Sequence, residues 1–137
     1  MPITYRIDRS TGIIRTKCAG VVTLEDVLGH LRALESDPEC PPRLDVLLDF
    51  SEWTSEANGA ELRAAGDAVG SVSHRVQFGA CAIVAPTDLL FGMARMFEVF
   101  AEAWFRAIQV FRAAAAAEAW LSSQESSRAV GSGNEDA

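Results

Sequence analysis

The sequence lacks the short motifs that would name a reaction or a cofactor. It has no GxGxxG fingerprint, no phosphate-binding P-loop and no GxSxG nucleophile elbow. His30, on the polar side of a predicted helix, and His74, in a connecting loop, have no sequence pattern that ties them to a metal cluster or a nucleophile. We therefore interpret both as surface histidines, and we expect no metal, no cofactor and no enzymatic activity.

Cysteine and long apolar runs are also scarce. The three cysteines, Cys18, Cys40 and Cys81, are odd in number and form no CxxC pair, which is typical of reduced thiols in a cytoplasmic protein. No apolar run approaches the roughly 20 residues that a bilayer requires, and the first residues lack the layout of a secretory signal. We expect a cytoplasmic protein that is not embedded in a membrane.

Positive charge is the third shortage. The 12 Lys and Arg residues are outnumbered by 19 Asp and Glu residues, and the net charge is -7 at pH 7. Phosphate backbones repel an acidic chain, so we expect no nucleic-acid partner.

The 137 residues, 49% of them hydrophobic, are enough to bury one core without disulfides. We assign a single domain to residues 1–122 and interpret the polar, aperiodic residues 123–137 as a disordered tail.

Two hydrophobic periodicities alternate along the chain. Residues 3–7 and 13–19 flank a Ser-Thr-Gly turn and predict a β-hairpin. Further strands are expected at 44–50, 78–85 and 107–112. Helices are expected to start near Thr23, Asn58, Thr87 and residue 113, and to end before Asp37, near Val72, at Trp104 and near Leu121. This order predicts an α/β domain with a five-stranded, mostly parallel sheet whose antiparallel edge is the N-terminal hairpin, and about four helices.

Four segments carry a resemblance to a known family. They are TLEDVLGHLRAL at 23–34, VLLDFSEWT at 46–54, AIVAPTDLLFGMARMFEVF at 82–100 and VFRAAAAAEAWL at 110–121. In this order of elements the chain resembles the anti-sigma-factor antagonist (STAS) fold, and more closely the small stand-alone bacterial proteins classed as SpoIIAA-like or STAS-like. The resemblance implies the fold and a non-catalytic module for protein interaction or regulation. Because each segment is a packing pattern, it predicts the fold better than the specific role.

Phosphorylatable STAS proteins carry an Asp-Ser-Ser-Gly element after the central strand, where a serine at the helix start is the switch. The matching stretch here is Glu-Ala-Asn-Gly at 56–59, so the resemblance does not carry the switch over. A candidate polar loop site remains nearby, formed by Asp49, Ser51, Thr54, Ser55 and Asn58. We interpret its hydroxyls as helix caps or exposed loop groups, and we expect no phosphorylation cycle.

The helix expected over residues 87–104 is more apolar than packing on a sheet requires. Placing successive residues about 100° apart gives it a wide apolar face. The centre of this face is expected at Leu89, Met93, Phe97, Phe100 and Trp104. Three partners could pack against this face: the alanine-rich last helix with Trp120, a second subunit, or a small apolar ligand. The sequence does not choose between core, dimer interface and ligand pocket.

The narrow charged stripe of this helix contains one phenylalanine. Phe91 lies between two glutamates in angle, Val99 is at the edge of the stripe, and Arg95 can lie over the Phe91 ring and pair with Glu98. Because a phenylalanine gains free energy when it leaves water, these four residues form a candidate interaction surface. We expect a homodimer that uses it.

Two functions are consistent with these patterns. The first is a non-catalytic STAS-like module for protein interaction or regulation, supported by the resemblance and by the missing chemistry. The alternative is a binding or carrier protein for a small, lipid-like apolar ligand, supported by the wide apolar face. An enzyme with a polar pocket around Asp49 is the least favoured interpretation.

Overall fold

The chain forms a five-stranded sheet with helices on both faces, in a computed structural model that describes residues 2–124. Its strands are β1 (Ile3–Asp8), β2 (Ile13–Gly20), β3 (Arg43–Trp53), β4 (Gln77–Val84) and β5 (Ala107–Phe111). Its helices are α1 (Leu24–Glu35), α2 (Gly59–Val72), α3 (Asp88–Ala101) and α4, described over 114–124, and a single 3₁₀ turn follows α3 at Glu102–Trp104. The strand order is β1-β2-β3-β4-β5, with β1 antiparallel to β2 and all other pairs parallel. The predicted fold class is confirmed.

Two capping boxes begin the first two helices, as the sequence predicts. Thr23 Oγ1 accepts a hydrogen bond from the Asp26 amide at 3.2 Å, and Asp26 Oδ2 accepts one from the Thr23 amide at 2.9 Å. Asn58 and Glu61 exchange the equivalent bonds at the start of α2, at 2.9 and 3.1 Å. These bonds satisfy amides that have no partner inside the helix, so they fix where α1 and α2 begin.

Strand β3 is longer than the expected span of 44–50. It continues through Trp53 because β2 pairs with it as far as Gly20, past a β-bulge. Gly20 has a φ of 71°, a left-handed conformation that suits glycine, and the chain leaves the sheet there. The Trp53 ring is buried edge-on against Phe50, with centroids 4.8 Å apart. Ser51, expected in a loop, is therefore a strand residue.

The two faces of the sheet support two separate cores. Helices α1, α2 and α3 cover one face and contribute to the larger core. Side chains alternate along β4, so neighbouring residues of this strand point to opposite faces. The smaller core, on the α4 face, consists of Ile13, Leu47, Ala80, Ala82, Val84, Ala117 and Leu121.

Helix α4 does not cover α3, which was one expectation for the apolar face of that helix. Trp120 instead packs against Phe111 of β5, with ring centroids 5.7 Å apart. Glu118 accepts two hydrogen bonds from Arg15 of β2, at 2.9 and 3.1 Å. The helix also continues past its expected end at Leu121 to the last described residue, 124. Residues 125–137, most of the expected disordered tail, lie outside the described residues.

Candidate functional site

A cavity of about 100 Å³ lies between the sheet and helices α1 and α2. Every second residue of β2 and β3 faces it, because side chains alternate along a strand. These strand residues are Ile14, Thr16 and Cys18 from β2 and Val46, Leu48 and Phe50 from β3. The lining is almost wholly apolar, so the cavity offers an environment for a hydrophobic guest rather than for an ion.

Helices α1 and α2 form the opposite wall. They contribute residues at positions 27, 30, 31 and 34 and at positions 62, 65 and 69, spacings that mark one face of each helix. On α2, Ala65 lies between the larger Leu62 and Val69 and fills little of the space that its neighbours enclose. A small residue at this central position contributes directly to the opening between helix and sheet.

Two residues that line the cavity each have a buried polar atom without a hydrogen-bond partner. The two atoms are Thr16 Oγ1, on a residue only 2% exposed, and His30 Nδ1. Native structures satisfy most buried polar atoms, so an unpaired one calls for a ligand, a water or a mechanistic role. Both atoms belong to residues that line the cavity.

His30 is not the surface residue that the sequence predicts. It is half-buried, and its ring lies edge-on to Tyr5 with centroids 5.2 Å apart. Burial lowers the pKa of His30 to about 4, so the imidazole is neutral at pH 7. The signal in the sequence was its spacing: His30 follows Val27 by three residues and precedes Leu34 by four, which places it on the core-facing row of α1.

The buried cysteines contribute no nucleophile to the cavity. Burial raises the pKa of Cys18 to about 12 and raises that of Cys81 further. A thiol reacts as its thiolate, so both are inert at neutral pH. All three cysteines are unpaired, as the sequence predicts.

Each residue of the predicted polar loop site is engaged in local structure. Asp49 Oδ1 accepts from the Ser51 amide at 2.8 Å, and Asn58 caps α2. Ser55 Oγ accepts from Trp53 Nε1 at 2.6 Å and from the Val22 amide at 3.1 Å. The Thr54 amide donates to the Gly20 carbonyl at 2.9 Å. These bonds shape the strand end and the loop, and they do not aim a shared set of groups at one reaction centre.

The apolar residues of α3 lie in three different surroundings, which are the core, the contact with α2 and the solvent. The centre of the apolar face that the sequence predicts is wrong. The buried row is Leu90, Met93, Ala94, Phe97 and Ala101, roughly 50° around the helix from the expected centre. Phe100 and Trp104, expected at that centre, pack against Gly66 and Gly70 of α2. Leu89, also expected there, is 53% exposed. The expectation failed because α2 packs along one flank of α3 and takes part of the face.

The predicted interaction surface is only partly exposed. Phe91 is half-buried, and the guanidinium of Arg112, beyond the end of β5, lies 4.5 Å from its ring centroid. Arg95 forms the expected ion pair with Glu98, with Nε and Oε1 3.4 Å apart. Val99 is 63% exposed. The Arg112 guanidinium thus lies over the Phe91 ring, and the use of this surface as a dimer contact stays a prediction.

Neither a metal cluster nor a membrane-spanning helix is found in the part of the chain that the structure describes. Within residues 2–124, no three His, Cys, Asp or Glu side chains are grouped so that they could hold a metal ion. In the same range no helix combines the length and the apolar character needed to cross a bilayer.

Comparison with known proteins identifies the family. A sequence model described as SpoIIAA-like matches residues 13–122. A solved structure of an uncharacterized protein from the DUF3478 family with a SpoIIAA-like fold, from Shewanella loihica PV-4, is similar with a TM-score of 0.58 and 25% identity. The alignment covers 87% of this chain and 93% of that one. Curated protein sequences give no match. With the family match over most of the chain and the same fold in a solved neighbour, the chain belongs to the SpoIIAA-like family.

Proposed function

We propose that this protein binds a small apolar molecule in the cavity between its sheet and helices α1 and α2. The observation that carries the proposal is a cavity of about 100 Å³ that has an almost wholly apolar lining and is partly open to solvent. Protein interiors are close-packed, and a void forfeits dispersion contacts. The apolar side chains around this space lack part of those contacts, and a guest molecule would restore them.

The volume limits the size of the ligand. An apolar cavity of the order of 150 Å³ accepts benzene, whereas drug-sized ligands occupy about 300 Å³ or more. A cavity of about 100 Å³ therefore suits a guest of about one ring or a short aliphatic chain. A complete lipid would require α1 or α2 to move away from the sheet.

The role is a binding role without catalysis. The groups in the cavity wall that are capable of chemistry are two protonated thiols, a threonine and a neutral imidazole. No base lies in reach of a thiol or hydroxyl among the hydrogen bonds of these residues, so the wall lacks the activated nucleophile that covalent catalysis needs.

Titration with toluene, followed by two-dimensional NMR of the ¹⁵N-labelled protein, tests the proposal. Wild type should show saturable shifts at amides around the cavity, including that of Thr16. Ala65→Leu should abolish them, because the larger side chain occupies the cavity. The matched control is Ala68→Leu, on the same helix but outside the lining, which should bind as wild type does. Shifts that do not saturate, or that survive in Ala65→Leu, would reject the cavity as a binding site.

A second candidate function is self-association or protein interaction through α3. Leu89, Met96 and Val99, spaced along one side of the helix, are 53%, 42% and 63% exposed. We name these three residues the α3 patch. Apolar side chains grouped in this way favour an interface, and a homodimer is the simplest partner. This function is compatible with ligand binding, because the α3 patch and the cavity share no residue.

A further inference from the structure

The cavity is partly open to solvent, but the opening is narrow. Its lining residues are all buried or half-buried, so a ring cannot pass between them unless part of the wall moves. The half-buried lining residues include Val27 and His30 of α1. Part of the opening therefore lies along this helix.

A single hydroxyl joins two residues of the lining at the start of α1. Ser55 Oγ accepts a hydrogen bond from the Trp53 indole N–H at 2.6 Å and another from the Val22 amide at 3.1 Å. It also donates to the Val22 carbonyl at 3.5 Å. A hydroxyl has one donor and two acceptor sites, so Ser55 uses all three to hold Trp53 and Val22 together. We name Ser55 and these bonds the Ser55 clasp.

The Ser55 clasp lies at the end of the sheet, one residue from solvent. Strands β2 and β3 end here, with Gly20 paired to Trp53. Trp53 and Val22 are buried and line the cavity, whereas their chain neighbours Thr54 and Val21 are exposed. The two buried residues thus separate the cavity from water at this end.

The first half of α1, which follows the clasp, is loosely packed. Leu31 and Leu34, the fully buried residues of α1, lie in its C-terminal half. Leu24 and Val27, in the N-terminal half, are only half-buried. Segments with few buried apolar contacts open locally at low cost, so the start of α1 is a part of the wall that can move.

The other end of α1 and the second helix of the wall are fixed. Asp37, just beyond α1, accepts a hydrogen bond from the Tyr5 hydroxyl of β1 at 2.6 Å. On α2, the Trp104 ring lies directly against Gly70, and moving this helix would break its contact with the residues that follow α3. The start of α1 is retained instead by the Ser55 clasp.

We propose that the Ser55 clasp is the gate of the cavity, and that a guest enters and leaves when the start of α1 moves Val22 away from Trp53. This inference rests on the proposed function, because it presupposes that the cavity binds a guest. Ser55 has a positioning role, since its hydroxyl acts through the two residues that it holds. The same bonds break before entry and before exit, so the clasp sets how fast a guest exchanges rather than how tightly it binds.

The test separates rate from affinity. Toluene is titrated into ¹⁵N-labelled wild type, Ser55→Ala and Ser55→Thr, and NMR line shapes give the dissociation constant and the exit rate, from which the entry rate follows. The Trp53 indole N–H, identified by its loss in Trp53→Phe, reports on the clasp itself through its exchange with water. Ser51→Ala, which removes an exposed hydroxyl from β3, is the matched control.

Ser55→Ala should raise the entry and exit rates of toluene together, by about five- to hundredfold, the effect of two hydrogen bonds. The dissociation constant should stay close to that of wild type, and the Trp53 indole proton should exchange faster with water. Ser55→Thr, which keeps the hydroxyl, should restore both rates toward those of wild type. Ser51→Ala should leave them unchanged.

Unchanged rates in Ser55→Ala would refute the gate. A weaker affinity with an unchanged entry rate would also refute it, because that is the result expected if Ser55 only shapes the wall. Trp53→Phe, which keeps a ring but removes the indole donor, replaces Ser55→Ala if that variant does not fold. It should raise both rates about two- to tenfold, the effect of one hydrogen bond.

The outcomes separate this inference from the function on which it rests. If toluene does not bind wild type, the proposed function fails and the gate fails with it. If toluene binds and its rates do not respond to Ser55, ligand binding stands and only the gate falls.

Discussion

Gly66 of α2 lies directly against the backbone of Phe100 in α3. A Cβ added at Gly66 would be 2.9 Å from both the Cβ and the carbonyl oxygen of Phe100. Backbone atoms cannot rotate away as a side chain can, so the two helices approach this closely only because residue 66 is glycine. The contact fixes α2 against α3, and with it one wall of the cavity.

The first prediction compares two helical glycines. Gly66→Ala should lower the free energy of unfolding by about 1 to 3 kcal/mol, because overpacking outweighs the gain in helix propensity. Gly92→Ala, where an added Cβ meets nothing within 4 Å, should raise it by about 0.5 to 1 kcal/mol. Urea denaturation measures both. A stabilised Gly66→Ala protein would show that α2 and α3 are not packed as described.

The second prediction concerns the pH dependence of stability. His30 has a pKa of about 4 in the folded protein, below its ordinary value of 6.5, because of burial. The unfolded chain therefore takes up a proton first as the pH falls. The contribution of His30 to the free energy of unfolding is fully present above pH 6.5. It falls by about 3 kcal/mol as the pH is lowered from 6.5 to about 4.

Chemical denaturation at several pH values measures this slope. His30→Phe should flatten it across that window. His74→Gln, which removes an exposed histidine, is the matched control. The pKa of Asp8 is lowered mainly by a hydrogen bond from Ser10, and that of Asp37 by one from Tyr5. These two carboxylates therefore affect the pH dependence of stability chiefly below pH 4. An unchanged slope in His30→Phe would contradict the neutral state of this half-buried ring.

The third prediction concerns the buried Asp45 of β3. Its Oδ1 accepts a hydrogen bond from the Ala80 amide of β4 at 2.9 Å, where the register between the strands shifts. Asp45→Ala leaves that buried amide without its acceptor and should cost about 1 to 3 kcal/mol. Asp45→Asn keeps an oxygen at the same place and should cost less. Thermal unfolding measures the stability of both variants. Equal losses would show that the hydrogen bond from the Ala80 amide does not contribute to stability.

The fourth prediction concerns self-association through the α3 patch. Val99→Glu should shift the mass measured by light scattering from dimer toward monomer, because it places a charge in an apolar contact. Val21→Glu is the matched control, since Val21 is 67% exposed but lies before α1. A monomeric wild type, or a dimer that persists in Val99→Glu, would reject the α3 patch as the dimer interface.

The fifth prediction is that the polar loop carries no phosphorylation cycle. Ser55 Oγ is held by the Trp53 indole and the Val22 amide, and a phosphate there would break both bonds. Nearby Glu52 and Glu56 add negative charge. Mass spectrometry of protein from its native cells should find no stoichiometric phosphate on Ser51, Thr54 or Ser55. Condition-dependent phosphate on any of them would favour a regulatory switch.

The sequence predicted elements and their order well, because these depend on local patterns. The capping boxes at Thr23 and Asn58 and the alternation of the hairpin were sufficient to place α1, α2, β1 and β2. The mostly parallel sheet with its antiparallel N-terminal hairpin followed from general rules of chain connection.

The sequence predicted the packing of α3 less well, because packing depends on neighbours that are remote in sequence. Periodicity alone could not show that α2 would take the flank with Phe100, or that Arg112 would cover Phe91. It also could not show that α4 lies on the other face of the sheet. A ligand pocket was anticipated against the apolar face of α3, whereas the cavity lies mainly under α1 and α2, and Phe97 is the contribution of α3 to its lining. The place of such a cavity depends on how side chains from several elements meet.

The most direct test of ligand binding is to identify what the protein carries in its own cells. Wild type, Ala65→Leu and Ala68→Leu are purified from the native host under identical conditions, extracted with organic solvent and analysed by mass spectrometry. We predict that wild type and Ala68→Leu carry the same small, neutral, largely apolar compound in near-stoichiometric amount, and that Ala65→Leu carries none. The same compounds in all three extracts, or no enrichment in wild type, would contradict the claim that this cavity is a binding site.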